Sequence, residues 1–418
     1  MPPCIHLQAR SGAGGDDLVG LGSGSCLAVE AIHSHNSFMI WSEKGMPTPL
    51  TWIWQQLDWP RFRWDEARLA PLLARARLAQ GKVLGAGRLL DANLTLEAVA
   101  AILVEDGLTT SAIEGQRLDL EAVRSSVARR LGLPTAGLPA PPRAVDGLID
   151  VLLDATRRHA APLTTERLFG WQAALFPIGY SGLHAIRVGA LRGDALMQVV
   201  SGGIGREKVH FIAPPREGLE GELERFLAWF SDPPPGLEGL IRAGLAHLWF
   251  VTLHPFEDGN GRLARAITDM ALSHDEHQPM RLFSLSAQIL RERESYYVVL
   301  EQTQRGGLEV TDWLVWFLSQ VEAAATAAEQ TVANTLAKAR FWLRHQMTAL
   351  NERQRKVLNR LLEAGPGGFD GGMNTRKYMG MTRTSRATAY RELANLVEKG
   401  CLRPTGKGGR SSGYEILQ

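Results

Sequence analysis

HPFEDGNGRLAR, residues 254–265, gathers one histidine, two acids, an asparagine between two glycines and two arginines three apart. The apolar run before it, GLIRAGLAHLWFVTL, reads as a buried helix, and Pro255 forces His254 out of the helical region at its end. After the loop, GRLARAITDMALSH resumes helical spacing, with Leu263, Ile267 and Met270 on one apolar stripe. Arg262 and Arg265 share a face. That face turns away from the stripe, toward the space the loop encloses. Two helices joined by a polar loop therefore frame the fold.

Gly259, Asn260 and Gly261 stand at the start of the second helix, where unpaired N–H groups and the helix dipole favour an anion. The glycines let a phosphate approach the backbone with no Cβ in the way. Arg262 and Arg265 add fixed positive charge in a fork suited to phosphate oxygens. An acid just ahead of such a nest is repelled by phosphate unless a cation lies between them, so Asp258 is a candidate Mg²⁺ ligand. His254, at the other lip of the loop, is placed to take a proton from a nucleophile. Each piece alone is common. In this order they describe phosphate-centred transfer from a polyphosphate.

The pattern HxFx(D/E)GNGRxxR is filled at every fixed position, by His254, Phe256, Asp258, Gly259, Asn260, Gly261, Arg262 and Arg265. The stretch thereby resembles the signature of the Fic (filamentation-induced-by-cAMP) family, and the likeness extends over about residues 95–320. The resemblance implies a mainly α-helical protein, with a Fic helical core and a short β-hairpin flap. It also implies transfer of AMP from ATP to a Ser, Thr or Tyr hydroxyl of a target protein, the chain itself being one candidate target. In that scheme His254 is the general base and Asp258 holds Mg²⁺. Asn260 and the loop N–H groups stabilise developing charge. Arg262 would clasp the β-phosphate and Arg265 the γ-phosphate, while Phe256 anchors the loop. Related proteins move UMP, phosphocholine or phosphate, and the sequence does not disclose the base pocket. A homodimer is left open.

Two further segments fit the same resemblance. MQVVSGG and REKVHFIAPP, around residues 197–212, read as a hairpin of short β-branched runs about a Gly-rich turn. This resembles the family's flap, which aligns a target by strand addition; His210 and Phe211 on it are the target-docking candidates, with a structural role for their side chains as the plainer reading. TTSAIEG places Thr110 and Glu114 four apart on one helical face, with Gly115 as a natural stop. It resembles the inhibitory motif (S/T)xxxE(G/N). The implied brake is a Glu114–Arg265 pair that denies ATP its γ-phosphate arginine. Some relatives use that glutamate to position water and remove AMP.

The 418 residues carry a net charge of +2, which gives no global signal for nucleic acid or membrane, while the length suits two or three domains and 45% hydrophobic content an ordinary soluble protein. Cys4, Cys26 and Cys401 make no framework of bridges, so a reducing cytoplasm is expected. No apolar run is long enough to span a bilayer, and no membrane partner is expected. His33, His35, His274 and His277 form no convincing ligand set, and GKVLGAG (81–87) lacks the P-loop ending.

The expected organisation is a Gly/Ser-rich disordered tail at 1–45, with starts at Met39 or Met46 left open. A small helical domain at 46–94 follows, rich in Trp52, Trp54, Trp59, Phe62 and Trp64. The catalytic domain with its inhibitory helix occupies 95–325, and a linker helix with a winged-helix domain occupies 326–418. Residues 340–418 hold fifteen Lys/Arg against six Asp/Glu. That makes DNA a candidate partner, with a solvated basic face as the plainer reading. The rival function is a nucleotide-sensing, DNA-binding regulator without transferase activity.

Overall fold

The computed structural model describes residues 5–9, 38–41, 47–50, 52–135, 137–201, 208–279, 281–364, 372–405 and 413–417. It is mainly helical. The first seven helices are α1 (Glu66–Gly87), α2 (Ala92–Ile113), α3 (Leu120–Leu131), α4 (Arg143–Arg157), α5 (Thr165–Leu175), α6 (Leu219–Ser231) and α7 (Gly239–Leu253). They are followed by α8 (Asn260–Glu276), α9 (Leu285–Arg291), α10 (Arg293–Gln304), α11 (Thr311–Arg344), α12 (Glu352–Ala364), α13 (Thr375–Thr382) and α14 (Arg386–Glu398). The short strands are β1 (Ile5–Ala9), β2 (Phe38–Trp41), β3 (Pro47–Leu50), β4 (Tyr180–Ser181), β5 (His184–Ala185), β6 (Met197–Ser201), β7 (Lys208–Ile212), β8 (Leu402–Pro404) and β9 (Tyr414–Ile416).

The chain divides into two units, Met1–Leu78 with Ala100–Ala324, and Ala79–Val99 with Ala325–Gln418. In the first, α7 is apolar on every side and buried along its whole length, as such a helix must be. Its partner α8 buries Leu263, Ile267 and Met270. Glu238 starts α7 by accepting from the N–H groups of Leu240 and Ile241.

The expected hairpin is β6 with β7, antiparallel, with a register shift between Val199 and Val200. Its connection, residues 202–207, lies outside the described residues. β1 pairs antiparallel with the other edge of β6, Leu7 opposite Val199. Part of the stretch expected to be a disordered tail is therefore strand, as are Phe38–Trp41. The alternation in IHLQA is a strand period, and the unpaired edge of β6 offers it a ladder of backbone partners. The other residues of 1–45 lie outside the described residues, and with them the histidines His33 and His35.

The aromatic segment does not form the separate domain expected at 46–94. Trp52 meets Phe211 edge-on at 5.3 Å, within a cluster completed by Met197, Ile212 and Ala213. Trp59 donates its indole N–H to Glu222 at 2.9 Å, and Arg63 exchanges backbone hydrogen bonds with Leu308 and Val310. Large aromatics bury most area against neighbours already in place, and this segment finds them on the hairpin and on α6.

The second unit has its own core, built from Phe341, Val357, Leu358, Leu361, Tyr378, Leu393, Leu396 and Leu402. Buried Glu392 ties it together. Its carboxylate accepts from Arg353 (2.5 Å), the Tyr378 hydroxyl (2.7 Å) and Asn351 (2.9 Å). A second cluster in the same unit joins Leu90 and Ala98 to Val332.

Candidate active site

The site is assembled where α7 stops and α8 begins. His254 caps α7 and leaves the right-handed region as expected, yet it enters the left-handed region at φ +49° rather than the extended one. A side chain held there stores strain that its surroundings must offset. Arg192 supplies much of that support. Its Nε donates to the His254 carbonyl at 2.9 Å, and its backbone N–H donates to the Pro255 carbonyl at 2.9 Å. A second guanidinium nitrogen reaches the Pro214 carbonyl at 2.5 Å. Nothing local in the sequence singles out Arg192, since it lies sixty-two positions before His254.

His254 is 4% exposed. Its Nδ1 lies 3.1 Å from the Val251 carbonyl, which can only accept, so Nδ1 carries the proton and Nε2 keeps a lone pair. Nε2 has no hydrogen-bond partner among the described residues. Burial pulls the imidazole from its ordinary 6.5 down to about 4, with the Val251 hydrogen bond acting the other way. The ring is thus neutral near pH 7, with its basic nitrogen unengaged.

The loop is held by its own side chains. Phe256 is fully buried. The Asn260 amide closes the loop in both directions, accepting from the Phe256 N–H at 3.0 Å and donating to the Phe256 carbonyl at 2.7 Å. Asn260 is therefore a loop-closing residue, and one of the two N–H groups of its amide is used for it. Asp258 accepts from the Gly259 N–H at 2.5 Å and from the Ser181 hydroxyl.

Gly259 caps α8 at φ +90°, and a Cβ there would come within 3.0 Å of the Phe176 ring. Gly259→Ala should therefore destabilise the protein by about 1–2 kcal/mol, the cost of a left-handed non-glycine residue. Gly221→Ala, with open space around its helical position, should not. Denaturant midpoints check both.

The two arginines are buried, Arg262 at 6% and Arg265 at 2% exposure. Arg262 lies over the Phe176 ring with its carbon 4.8 Å from the centroid, donates to Gln116 at 3.3 Å and stands 3.8 Å from Asp258. Burial lowers its pKa. Arg265 donates Nε to the Thr110 hydroxyl (2.7 Å), and one terminal nitrogen to the Thr110 carbonyl (2.9 Å) and to Glu114 (2.8 Å). Its other terminal nitrogen and the Arg262 Nε have no partner among the described residues. Two buried guanidiniums with unsatisfied donors form a cradle that lacks acceptors.

Glu114 occupies that cradle. α2 ends in a Schellman arrangement: Gly115 N–H donates to Ala112 at 3.0 Å and Gln116 N–H to Ser111 at 2.9 Å, with Gly115 at φ +80°. Arg293 Nε (3.0 Å) and the Tyr297 hydroxyl (3.3 Å) cap the Ile113 carbonyl. The end of α2 is thereby pinned with Glu114 beside α8. A Cβ added to Gly261 would lie 2.1 Å from Glu114 Oε1, so the carboxylate covers the first turn of α8 where an anion is favoured. Glu114 thus meets Arg265 and the helix terminus together, and the second contact is invisible in the sequence.

Of the docking candidates, Phe211 is buried against Trp52. His210 is bridged through Nδ1 to Glu301 and through Nε2 to Ser201, both at 2.6 Å. Their side chains are engaged within the protein, Phe211 in packing and His210 in hydrogen bonds, as the structural reading of them expects. Any segment joining this sheet would do so through main chain. Among the described residues, no three His, Cys, Asp or Glu side chains gather as a metal site. No described helix is long and apolar enough to cross a membrane.

Residues 162–272 match the model of the Fic/DOC family, and residues 52–133 match a domain of unknown function, DUF4172. The protein adenylyltransferase Fic of Nematostella vectensis is 32% identical over 98 residues, 23% of this chain and 22% of that protein. The uridine 5'-monophosphate transferase of Xanthomonas campestris pv. campestris (strain 8004) is 32% identical over 122 residues, 27% of this chain and 22% of that protein. The chain thus spans about a fifth of the length of either curated relative. Among solved structures, a Fic family protein from Desulfovibrio desulfuricans G20 is 18% identical with a TM-score of 0.47, over 83% of this chain and 96% of that one. Fic-1 from C. elegans (residues 134–508) is 19% identical with a TM-score of 0.45, over 65% and 76% of the two chains.

Proposed function

We propose, for a chain that carries a Fic/DOC domain at residues 162–272, that it transfers AMP from ATP to a hydroxyl of a target protein and is held back by Glu114. The observation that carries this reading is the pairing of an unengaged His254 Nε2 with an anion cradle one loop away. The target hydroxyl loses its proton to Nε2 as its oxygen attacks the α-phosphorus. The bond from that phosphorus to the bridging oxygen breaks, and pyrophosphate leaves with the electron pair. The α8 N-terminus, Arg262 and Arg265 bind the phosphates and hold this geometry.

Asp258 fits the single-carboxylate share of a Mg²⁺ site, being 19% exposed beside the cradle, with phosphates completing the set. The ion, when bound, would neutralise phosphate charge. Asn260 keeps the loop closed around these groups.

The reading predicts an unusual pH profile. An imidazole at about 4 keeps its lone pair at any higher pH, so the acid limb of kcat/KM should fall near pH 4 and not near 6.5. The linkage to stability has the same origin. The folded pKa is lowered, so the unfolded chain binds the proton more readily. The contribution of neutral His254 is complete above 6.5 and is lost as pH falls toward 4. A limb at 6.5 in the free enzyme would remove His254 as the base.

The decisive assay offers [α-³²P]ATP and, separately, [α-³²P]UTP with Mg²⁺, to the chain alone and with lysate proteins. Label on protein from ATP supports AMP transfer. Label from UTP instead supports the UMP reading that the Xanthomonas relative's name brings into play. Label from neither, with wild type and with Glu114→Gly alike, overturns both.

A further inference from the structure

Residues 340–418 carry an excess of nine positive charges in a chain whose whole excess is two, and the transfer chemistry uses none of them. Within that segment α13 and α14 are joined by the three residues Arg383–Ser385. Asn374 caps α13 by accepting from Lys377 N–H, and Ser385 caps α14 by accepting from Thr388 N–H, so both helix starts are defined.

α14 has two unlike faces. Ala389, Glu392, Leu393 and Leu396 are buried in the core of the unit. Arg386, Ala387, Tyr390, Arg391 and Ala394 are exposed, in steps of one, three and four that trace a single outward stripe. Tyr390 is 64% exposed, with no large apolar side chain beside it on the stripe. From Arg386 to Ala394 no acid interrupts it, because Glu392 faces inward and is bonded to Arg353, Tyr378 and Asn351; the exposed Glu398 closes the stripe at the C-terminal end of α14. Arg376 on α13 and Arg383 in the turn are exposed as well. None of Arg376, Arg383, Arg386 and Arg391 has an acidic partner among the described residues.

A solvated helix face usually mixes both signs of charge, and a protein-docking face usually carries several apolar anchors. This stripe does neither. It combines arginines, one aromatic hydroxyl and two alanines that let the helix backbone come close to its partner. We propose that α14 is a recognition helix that enters the major groove of duplex DNA. Arg386, Tyr390 and Arg391 meet the groove, and Arg376 and Arg383 meet the flanking phosphates. A B-form major groove admits an α-helix, and a helix presented after a short turn enters it by its N-terminal residues. The major groove of an A-form RNA duplex is too narrow for a helix carrying such side chains. A single strand would need a stacking platform, whereas the stripe has one aromatic ring.

The test is fluorescence anisotropy of the full chain with a fluorescein-labelled, random-sequence DNA duplex, across a salt series. Matched single-stranded DNA and RNA duplex serve as competitors. Wild type should bind the DNA duplex in preference to both. The slope of log K against log salt should be negative, and Arg386→Ala with Arg391→Ala should make it shallower by about 0.9 for each phosphate no longer neutralised. The pair should also weaken binding by at least about tenfold, and Tyr390→Ala by a smaller factor. All three side chains are exposed, so thermal melts should match wild type and a loss of binding would not be a loss of fold. Absence of duplex binding at low salt overturns the proposal. Equal binding of RNA, or affinity unchanged in the Arg386/Arg391 variant, overturns it too.

Discussion

Glu114→Gly is expected to raise transfer of label from [α-³²P]ATP by about 10- to 100-fold, the range of a coupling worth about 1–3 kcal/mol. Two attractions disappear at once. Arg265 is deprived of the carboxylate 2.8 Å away, and the first turn of α8 is deprived of the anion lying over Gly261. Phosphate oxygens, which are acceptors of the same kind, take both places. A second signature follows from the burial of Arg265. Without nucleotide the variant keeps a buried guanidinium deprived of its hydrogen-bonded carboxylate, and should melt below wild type. Saturating ATP should recover more stability in the variant than in wild type, because the brake no longer competes. A folded Glu114→Gly protein with wild-type transfer and the wild-type response to ATP would refute the brake.

His254→Ala should lower transfer by about 10²–10⁴-fold, the usual worth of a positioned general base. ATP affinity should hold nearly constant, since the cradle is made by α8 and its arginines. Combining it with Glu114→Gly separates the two roles: the relieved variant binds nucleotide and still does not transfer. Tight binding with abolished turnover identifies a base, whereas loss of both would point to collapse of the loop that His254 caps. Full labelling by His254→Ala would remove the proposed mechanism. The Arg192 hydrogen bonds make a milder expectation, because a loosened His254 carbonyl displaces the imidazole without removing it.

Much of this site was legible in twelve residues because its parts are contiguous. Histidine, acid, glycines and arginines lie on one loop and one helical turn, where local geometry relates them directly. The same rule explains what was not legible. The sequence does not show that the Asn260 amide closes the loop onto Phe256, four residues back. Nor does it show that Glu301 and Ser201 hold His210 and that Trp52 packs on Phe211. The aromatic segment near Trp52 reads as a domain until its partners across the chain are known.

The sequence by itself determined the helical frame of α7 and α8, the chemistry of the loop between them, and the helical stop at Gly115. Each rests on spacing within a few turns, and helical periodicity needs no distant partner to be read. Only the tertiary structure decided that Arg192 holds the His254 carbonyl, that Phe176 lies under Arg262, and that Glu114 covers the start of α8. Those pairings join residues tens to more than a hundred positions apart. No local propensity encodes them; they form because burying the apolar faces of α2, α7 and α8 leaves their polar ends facing one another.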